Sequence, residues 1–135
     1  MLPDRAPTKS CTALLVVLFE PDETIEQRLQ SAARQFTRTF IIDNSNDYTY
    51  EPGAISGSSV QYHRMGKNYG LATALNVGCK IALENGFDWV VTMDQDTWLR
   101  EDYLSNMLHA ASLAPESTAL IGCNYYRGHE RGCRY

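Results

Sequence analysis

The sequence has no hydrophobic run that is long enough to cross a membrane. Its longest aliphatic run, Ala13 to Phe19, is far shorter than the roughly 20 residues that a transmembrane helix needs. The first residues, Met1 to Ser10, contain no apolar segment typical of a secretion signal. We therefore expect a cytoplasmic protein. Attachment at the inner face of a membrane is still compatible with this, because a peripheral enzyme needs no spanning segment.

Paired cysteines and an excess of positive charge are also lacking. The four cysteines are too far apart for a CxxC pair, so the sequence predicts reduced thiols and no zinc or disulfide framework. The formal net charge is −4, which argues against a nucleic-acid partner, since such binding depends on clustered Lys and Arg. Any anionic ligand must therefore be bound locally, by a metal ion or by backbone amides.

The composition is otherwise that of a globular protein. The chain has 135 residues, of which 44% are hydrophobic and 21% charged, enough for one domain with a buried core. We expect a tail over residues 1–10, a domain over residues 11–123 and a second tail over residues 124–135, where no helical or strand period is visible.

Strand and helix patterns alternate along the domain. Continuous apolar or β-branched runs predict strands at residues 12–19, 37–43, 60–63, 87–94 and 119–123. Apolar residues at helical spacing predict helices at residues 25–36, 71–85 and 101–113, with Asp22 and Thr24 as N-caps of the first and Gly86 as the C-cap of the second. For the second helix, the inward face is predicted to carry Leu71, Ala74, Leu75, Gly78 and Ala82. This order predicts an α/β fold with an open, mostly parallel sheet flanked by helices.

Acidic residues follow three of the predicted strands: Glu20, Asp43, and the pair Asp94 and Asp96. Ligands of such sheets bind outside the carboxyl ends of the strands, so these side chains are expected at one edge. If the backbone stays extended, Asp94 and Asp96 point to the same side. A divalent cation such as Mg²⁺ or Mn²⁺ would relieve their repulsion and bring a phosphate-bearing ligand. On spacing alone, an ordinary structural loop explains the pair equally well.

The segment Asn68 to Leu99, "NYGLATALNVGCKIALENGFDWVVTMDQDTWL", resembles family 2 glycosyltransferases, particularly the rhamnosyltransferase-like members. These show an N-x-G-x-A-x-A-x-N-x-G helix entry, a strand that begins with D-W, and D-Q-D. The segments "VVLFEPD" and "IIDNSND" resemble the ends of the first and second strands of that family. The resemblance thus extends over Thr12 to Cys123.

This resemblance implies a GT-A fold with a Rossmann-like nucleotide-binding half. It also implies an inverting transfer from a nucleotide-diphosphate sugar, with dTDP-rhamnose favoured, to a glycan or lipid-linked acceptor. The matching positions imply donor contacts at Phe19, Glu20, Asp43, Asn68, Gly70 and Asp94. They imply a Mg²⁺ or Mn²⁺ ion held by Asp96 with help from Asp94.

Two departures from the family pattern leave alternatives open. Leu18-Phe19-Glu20 stands where the family commonly has Thr-Tyr-Asn. No segment after Cys123 matches the one that carries the carboxylate general base, so that base is expected beyond the end of this chain, which would hold the N-terminal donor-binding part. One alternative is a non-catalytic nucleotide-sugar-binding fragment. Another is a HAD-type phosphatase with Asp94 as nucleophile, although Trp98 stands where that motif has Thr or Val.

Overall fold

The computed structural model describes residues 6–47, 50, 52–53, 58–123, 125–127 and 130–132. After a 3₁₀ turn at Lys9–Cys11 come the principal elements. They are β1 (Thr12–Leu18), α1 (Ile25–Ala33), β2 (Arg38–Asp43), β3 (Ser59–Arg64), α2 (Leu71–Glu84), β4 (Trp89–Asp94), α3 (Tyr103–Ser112), β5 (Tyr125–Arg127) and β6 (Glu130–Gly132).

The first four strands form one parallel sheet in the order β3-β2-β1-β4. Because all four run the same way, their carboxyl ends share one edge. The register pairs Leu18 with Asp43, Asp43 with Arg64, and Val17 with Asp94. The segments after these strands therefore begin side by side. β5 and β6 form a separate antiparallel pair. The predicted α/β class with a parallel sheet is confirmed.

The central strand β1 is covered on both faces. Leu14, Val16 and Leu18 point into a core that also contains residues of α1 and α3. Ala13 and Leu15 point the other way, into a core shared with α2. The alternation of side chains along a strand produces these two cores. It explains why the β1 sequence is apolar throughout rather than at every second position.

The carboxyl end of α2 has the local structure that Gly86 predicts. Gly86 has φ of 84°, in the left-handed region that favours glycine. Its N–H donates to the carbonyl of Leu83 (3.0 Å), and the Phe87 N–H donates to that of Ala82 (3.0 Å). These are the paired hydrogen bonds of a Schellman motif, which turns the chain from α2 into β4.

Two other predictions were wrong: the strand at residues 119–123 and the inward position of Leu71. Residues 119–123 form no strand: Leu120 is 88% exposed, and the segment pairs with no described strand. Leu71 does not face the sheet but is 56% exposed at the first turn of α2.

At the start of α1, Thr24 occupies the N-cap position as predicted, but its side chain makes no capping hydrogen bond. The Asp22 carboxylate accepts the Thr24 N–H instead. Across the described part of the chain, every helix is too short or too polar to span a bilayer.

Candidate functional site

The end of β1 makes an unusual turn at Glu20. This residue has φ of 43°, the one positive φ among the described residues other than glycine. Its N–H donates to the Ser45 hydroxyl (2.7 Å), which ties the end of β1 to the segment after β2. Phe19 and Glu20 are both exposed. They lie at the shared edge, where a ligand could reach them, but contact with a nucleotide base stays a prediction.

Asp43, at the end of β2, is fully buried. Its Oδ1 accepts the Ser45 N–H (2.9 Å), and its Oδ2 accepts the hydroxyl proton of Tyr62 on β3 (2.5 Å). Burial and the hydrogen bond to this carboxylate both raise the pKa of Tyr62, so its hydroxyl stays protonated and able to donate. The buried Asp43 carboxylate thus holds the main chain of the segment after β2 in place through Ser45. A direct donor contact, as the resemblance implies, is an untested prediction.

A network of asparagine side chains connects the segment after β2 with the entry to α2. Asn44 is buried; its Nδ2 donates to Asn68 Oδ1 (2.9 Å) and its Oδ1 accepts the Tyr69 N–H (2.9 Å). Asn68 Oδ1 also accepts the Gly70 N–H (2.8 Å), and the Asn68 N–H donates to Asn46 (3.0 Å). The side chain of Asn68 therefore holds the main chain at the entry to α2 in place.

Gly70 precedes α2 with φ of 86°, and a β-carbon there would meet nothing within 4 Å. Glycine is required by the backbone conformation and not by crowding. The open space beside Gly70 is compatible with the predicted approach of a nucleotide, which remains untested. On the same segment, the Lys67 ammonium lies 4.8 Å from the centre of the Tyr69 ring.

The acid pair lies at a turn that follows β4. The strand ends at Asp94, and the Thr97 N–H donates to the Asp94 carbonyl (3.0 Å), so Gln95 and Asp96 occupy the centre of the turn. The backbone is thus not extended as far as Asp96, and alternation along a strand cannot decide where that side chain points. Both carboxylates are exposed.

Neither Asp94 nor Asp96 has a side-chain hydrogen bond or an ion pair to any residue that the structure describes. The same part of the chain holds no cluster of three or more His, Cys, Asp or Glu side chains. The protein would thus offer a cation two carboxylates, and any further ligands would be water or substrate oxygens. Mg²⁺ is commonly bound in this way beside phosphates.

Gln95, between the two acids, is bound to β1 and α1. Its side-chain amide exchanges two hydrogen bonds with the main chain of Phe19, and its carbonyl accepts the Nε–H of Arg28 (2.6 Å). Arg28 is buried in α1, where it also donates to Thr24 Oγ1 and to Asp22 Oδ1 (2.8 Å). The turn that carries the acids is therefore held to the end of β1.

Sequence reasoning missed several residues that order this edge, namely Asn44, Asn46, Ser45, Gln95, Arg28 and Tyr62. The run "NSN" directly after a predicted strand could have indicated the asparagines, since Asn and Ser side chains bond readily to nearby main chain. Gln95 and Arg28 carry no comparable signal. Their roles depend on contacts between segments that are far apart in sequence.

Comparison with known proteins identifies the family. The model of the family described as "Glycosyl transferase family 2" matches residues 13–134, nearly the whole chain. The chain belongs to glycosyl transferase family 2. This membership favours the glycosyltransferase interpretation of Asp94 and Asp96 over the phosphatase one. The four parallel strands with helices on both faces agree with the GT-A architecture that the resemblance implied.

A curated relative is the dTDP-rhamnosyl transferase RfbF of Shigella flexneri, 22% identical over 94 residues. The aligned region covers 69% of this chain and 32% of the relative. The chain therefore spans about a third of the length of the relative that it matches. The rhamnosyltransferase-like character of the sequence is supported by this match.

Proposed function

We propose that this chain binds the sugar donor of a metal-dependent, inverting glycosyltransferase. The donor is a nucleotide-diphosphate sugar, dTDP-rhamnose being favoured because the relative's name specifies it. The acceptor would be a glycan or a lipid-linked acceptor. One observation carries the proposal: in a family 2 chain, two exposed carboxylates with no partner among the described residues lie at the sheet edge where ligands of α/β proteins bind.

The residues at this edge suit Mg²⁺ or Mn²⁺. Asp94 and Asp96 offer carboxylate oxygens, the ligands that such hard cations prefer, and no described Lys or Arg competes for them. When bound, the cation would act as a Lewis acid that offsets the charge developing on the departing nucleoside diphosphate.

Residues at the end of β1 and at the entry to α2 would hold and orient the donor. The asparagine network fixes the main chain from Asn68 to Gly70, and the Ser45 hydroxyl fixes that of Glu20. A site ordered before the ligand arrives loses less conformational entropy on binding. We assign donor contacts to Phe19, Glu20 and the 68–70 segment, with Asp43 supporting them. No described residue is assigned as the general base that would deprotonate the acceptor hydroxyl.

Calorimetric titration tests this proposal. The chain is titrated with dTDP-rhamnose, a UDP-sugar and a GDP-sugar, each with and without Mn²⁺. We expect one donor to bind in a metal-dependent way, and Asp96→Ala and Asp96→Asn to lose that dependence. The matched control is Glu84→Gln, which alters an exposed carboxylate at the far end of α2 and should bind like the wild type.

Equal, metal-independent binding by wild type and Asp96→Asn would contradict the metal role of Asp96. Absence of binding to every nucleotide sugar would contradict the donor site as a whole. Transfer or hydrolysis of the bound donor should then be assayed by release of the nucleoside diphosphate. Binding without any release would favour the alternative of a non-catalytic nucleotide-sugar-binding chain.

A further inference from the structure

The side chain of Gln95 is bound like a strand residue, although its backbone has left the sheet. The Phe19 N–H donates to Gln95 Oε1 (2.8 Å), and Gln95 Nε2 donates to the Phe19 carbonyl (3.0 Å). The register of β1 and β4 ends with Val17 opposite Asp94. The primary amide of Gln95 therefore continues the pairing of the two segments beyond the last strand residues.

The main chain of Gln95 is held as well. Its carbonyl accepts the Arg28 Nε–H (2.6 Å), and Arg28 is 6% exposed and also bound to Asp22. Gln95 is thus fixed through both side chain and carbonyl. Its neighbours Asp94 and Asp96 stay exposed, without protein partners among the described residues.

We infer that Gln95 is a positioning residue that sets the acid pair at a fixed distance from Phe19 and Glu20. A nucleotide sugar that lay across this edge would meet Phe19 and Glu20 at one end and the carboxylates, near its diphosphate, at the other. The inference rests on the proposed function. It adds that the middle residue of the Asp-Gln-Asp turn joins the two ends of the donor site without touching the donor.

The chemistry of the contact requires an amide. Phe19 presents one donor and one acceptor, and only a side chain with both an acceptor oxygen and an N–H donor matches them. In Gln95→Glu, the carboxylate would accept the Phe19 N–H but would place a second oxygen against the Phe19 carbonyl. Gln95→Met keeps the length of the side chain and removes both hydrogen bonds.

The chain contains a matched control in Gln35. Gln35 Nε2 donates to the Arg100 carbonyl (2.8 Å), and Gln35 Oε1 accepts the Leu104 N–H (2.9 Å). The Gln35 amide, in the turn after α1, thus binds two main-chain groups at the start of α3 and makes no hydrogen bond to Asp94 or Asp96. Gln35→Met and Gln35→Glu remove equivalent bonds, so they reproduce the structural cost of the Gln95 variants.

The test measures binding and hydrogen exchange on the 135-residue chain. We expect Gln95→Met and Gln95→Glu to weaken Mn²⁺-dependent binding of dTDP-rhamnose about 10- to 100-fold, as loss of a residue supporting metal ligands commonly does. The Gln35 variants should bind like the wild type at a temperature where all are folded. Exchange of the Phe19 amide proton should speed up in Gln95→Met, which removes its acceptor, and stay unchanged in the Gln35 variants.

Two results would overturn the inference. One is wild-type affinity in both Gln95 variants while Asp96→Asn has lost the metal dependence. The other is an unchanged exchange rate at Phe19 in Gln95→Met, which would mean that the amide contact is not formed. If the wild type itself binds no donor, the proposed function fails and the inference fails with it. That outcome is distinguishable, because it does not depend on any Gln95 variant.

Discussion

Gly78 of α2 lies so close to Leu15 of β1 that a β-carbon at position 78 would come within 2.3 Å of the Leu15 Cδ1 atom. The same β-carbon would lie 3.0 Å from Ile42. Gly78→Ala should therefore destabilise the protein by about 1–3 kcal/mol through overpacking, even though alanine favours a helix by about 1 kcal/mol over glycine. Urea unfolding monitored by circular dichroism measures the change.

Gly122→Ala is the control, because a β-carbon there meets nothing within 4 Å and the backbone has no positive φ. It should change the free energy of unfolding by no more than about 0.5 kcal/mol. A Gly78→Ala protein as stable as the wild type would show that α2 can shift away from the sheet at no cost.

Local signals predicted most of the fold. The uninterrupted apolar sequence of β1 indicated burial on both faces, and Gly86 marked the end of α2. The strand predicted at residues 119–123 failed because a strand needs a neighbour. Its apolar residues satisfy the strand pattern, but the pattern does not say whether another strand lies beside it. The prediction for Leu71 was wrong because helical spacing indicates which face is buried but not how far along the helix the burial extends. Leu71 is the first residue of α2 and is exposed, whereas Ala74 is fully buried.

Glu20 holds a left-handed backbone conformation, with φ of 43°. Such a conformation costs about 1–2 kcal/mol for a residue with a β-carbon. Glu20→Gly should remove that cost. Part of this gain is offset because glycine has more conformational entropy in the unfolded chain, so the net stabilisation should be up to about 1 kcal/mol. Chemical denaturation measures the gain, and the donor affinity should fall if the carboxylate contacts the base.

Glu23→Gly is the matched control, because Glu23 is exposed and has no positive φ. Glycine there should lower stability through the unfolded chain alone. Equal destabilisation by the two glycine substitutions would mean that Glu20 carries no backbone strain in solution.

The candidate site was predictable only where residues follow strands directly. The positions of Glu20, Asp94 and Asp96 at one edge follow from connectivity, because parallel strands end together. The contact between Gln95 and Phe19 joins residues 76 positions apart. Nothing in either local sequence indicates it, and it forms only once β1 and β4 are paired. The hydrogen bond of the buried Asp43 carboxylate likewise requires Tyr62 from the neighbouring strand.

The carboxylate of Asp22 accepts hydrogen bonds from the Thr24 hydroxyl (2.7 Å) and N–H (2.8 Å) and from Arg28 (2.8 Å). These contacts, the Thr24 hydroxyl first, hold the pKa of Asp22 below its ordinary value. The charged form therefore stabilises the fold above the unfolded pKa of about 3.9, and this stabilisation disappears as the pH falls through the lower, folded-state pKa.

Asp22→Asn should thus be less stable than the wild type at pH 7, and the difference should shrink as the pH falls below about 4. Thermal unfolding across this pH range checks the trend. Introducing Thr24→Val into both proteins removes the main contact and should reduce the pH-dependent difference. A difference that grew towards acidic pH would contradict this account, because it would require a raised pKa.

Tyr62 of β3 and Asp43 at the end of β2 form a hydrogen bond next to the candidate site. In Tyr62→Phe, the fully buried Asp43 Oδ2 loses its hydroxyl donor (2.5 Å). A buried acceptor without a partner should lower the free energy of unfolding by about 1–3 kcal/mol. Tyr103→Phe is the control, since the Tyr103 hydroxyl makes only a long contact with the exposed Cys123 sulfur (3.6 Å). Denaturant unfolding of both variants should show the larger loss for Tyr62→Phe, and equal losses would mean that Asp43 finds another donor.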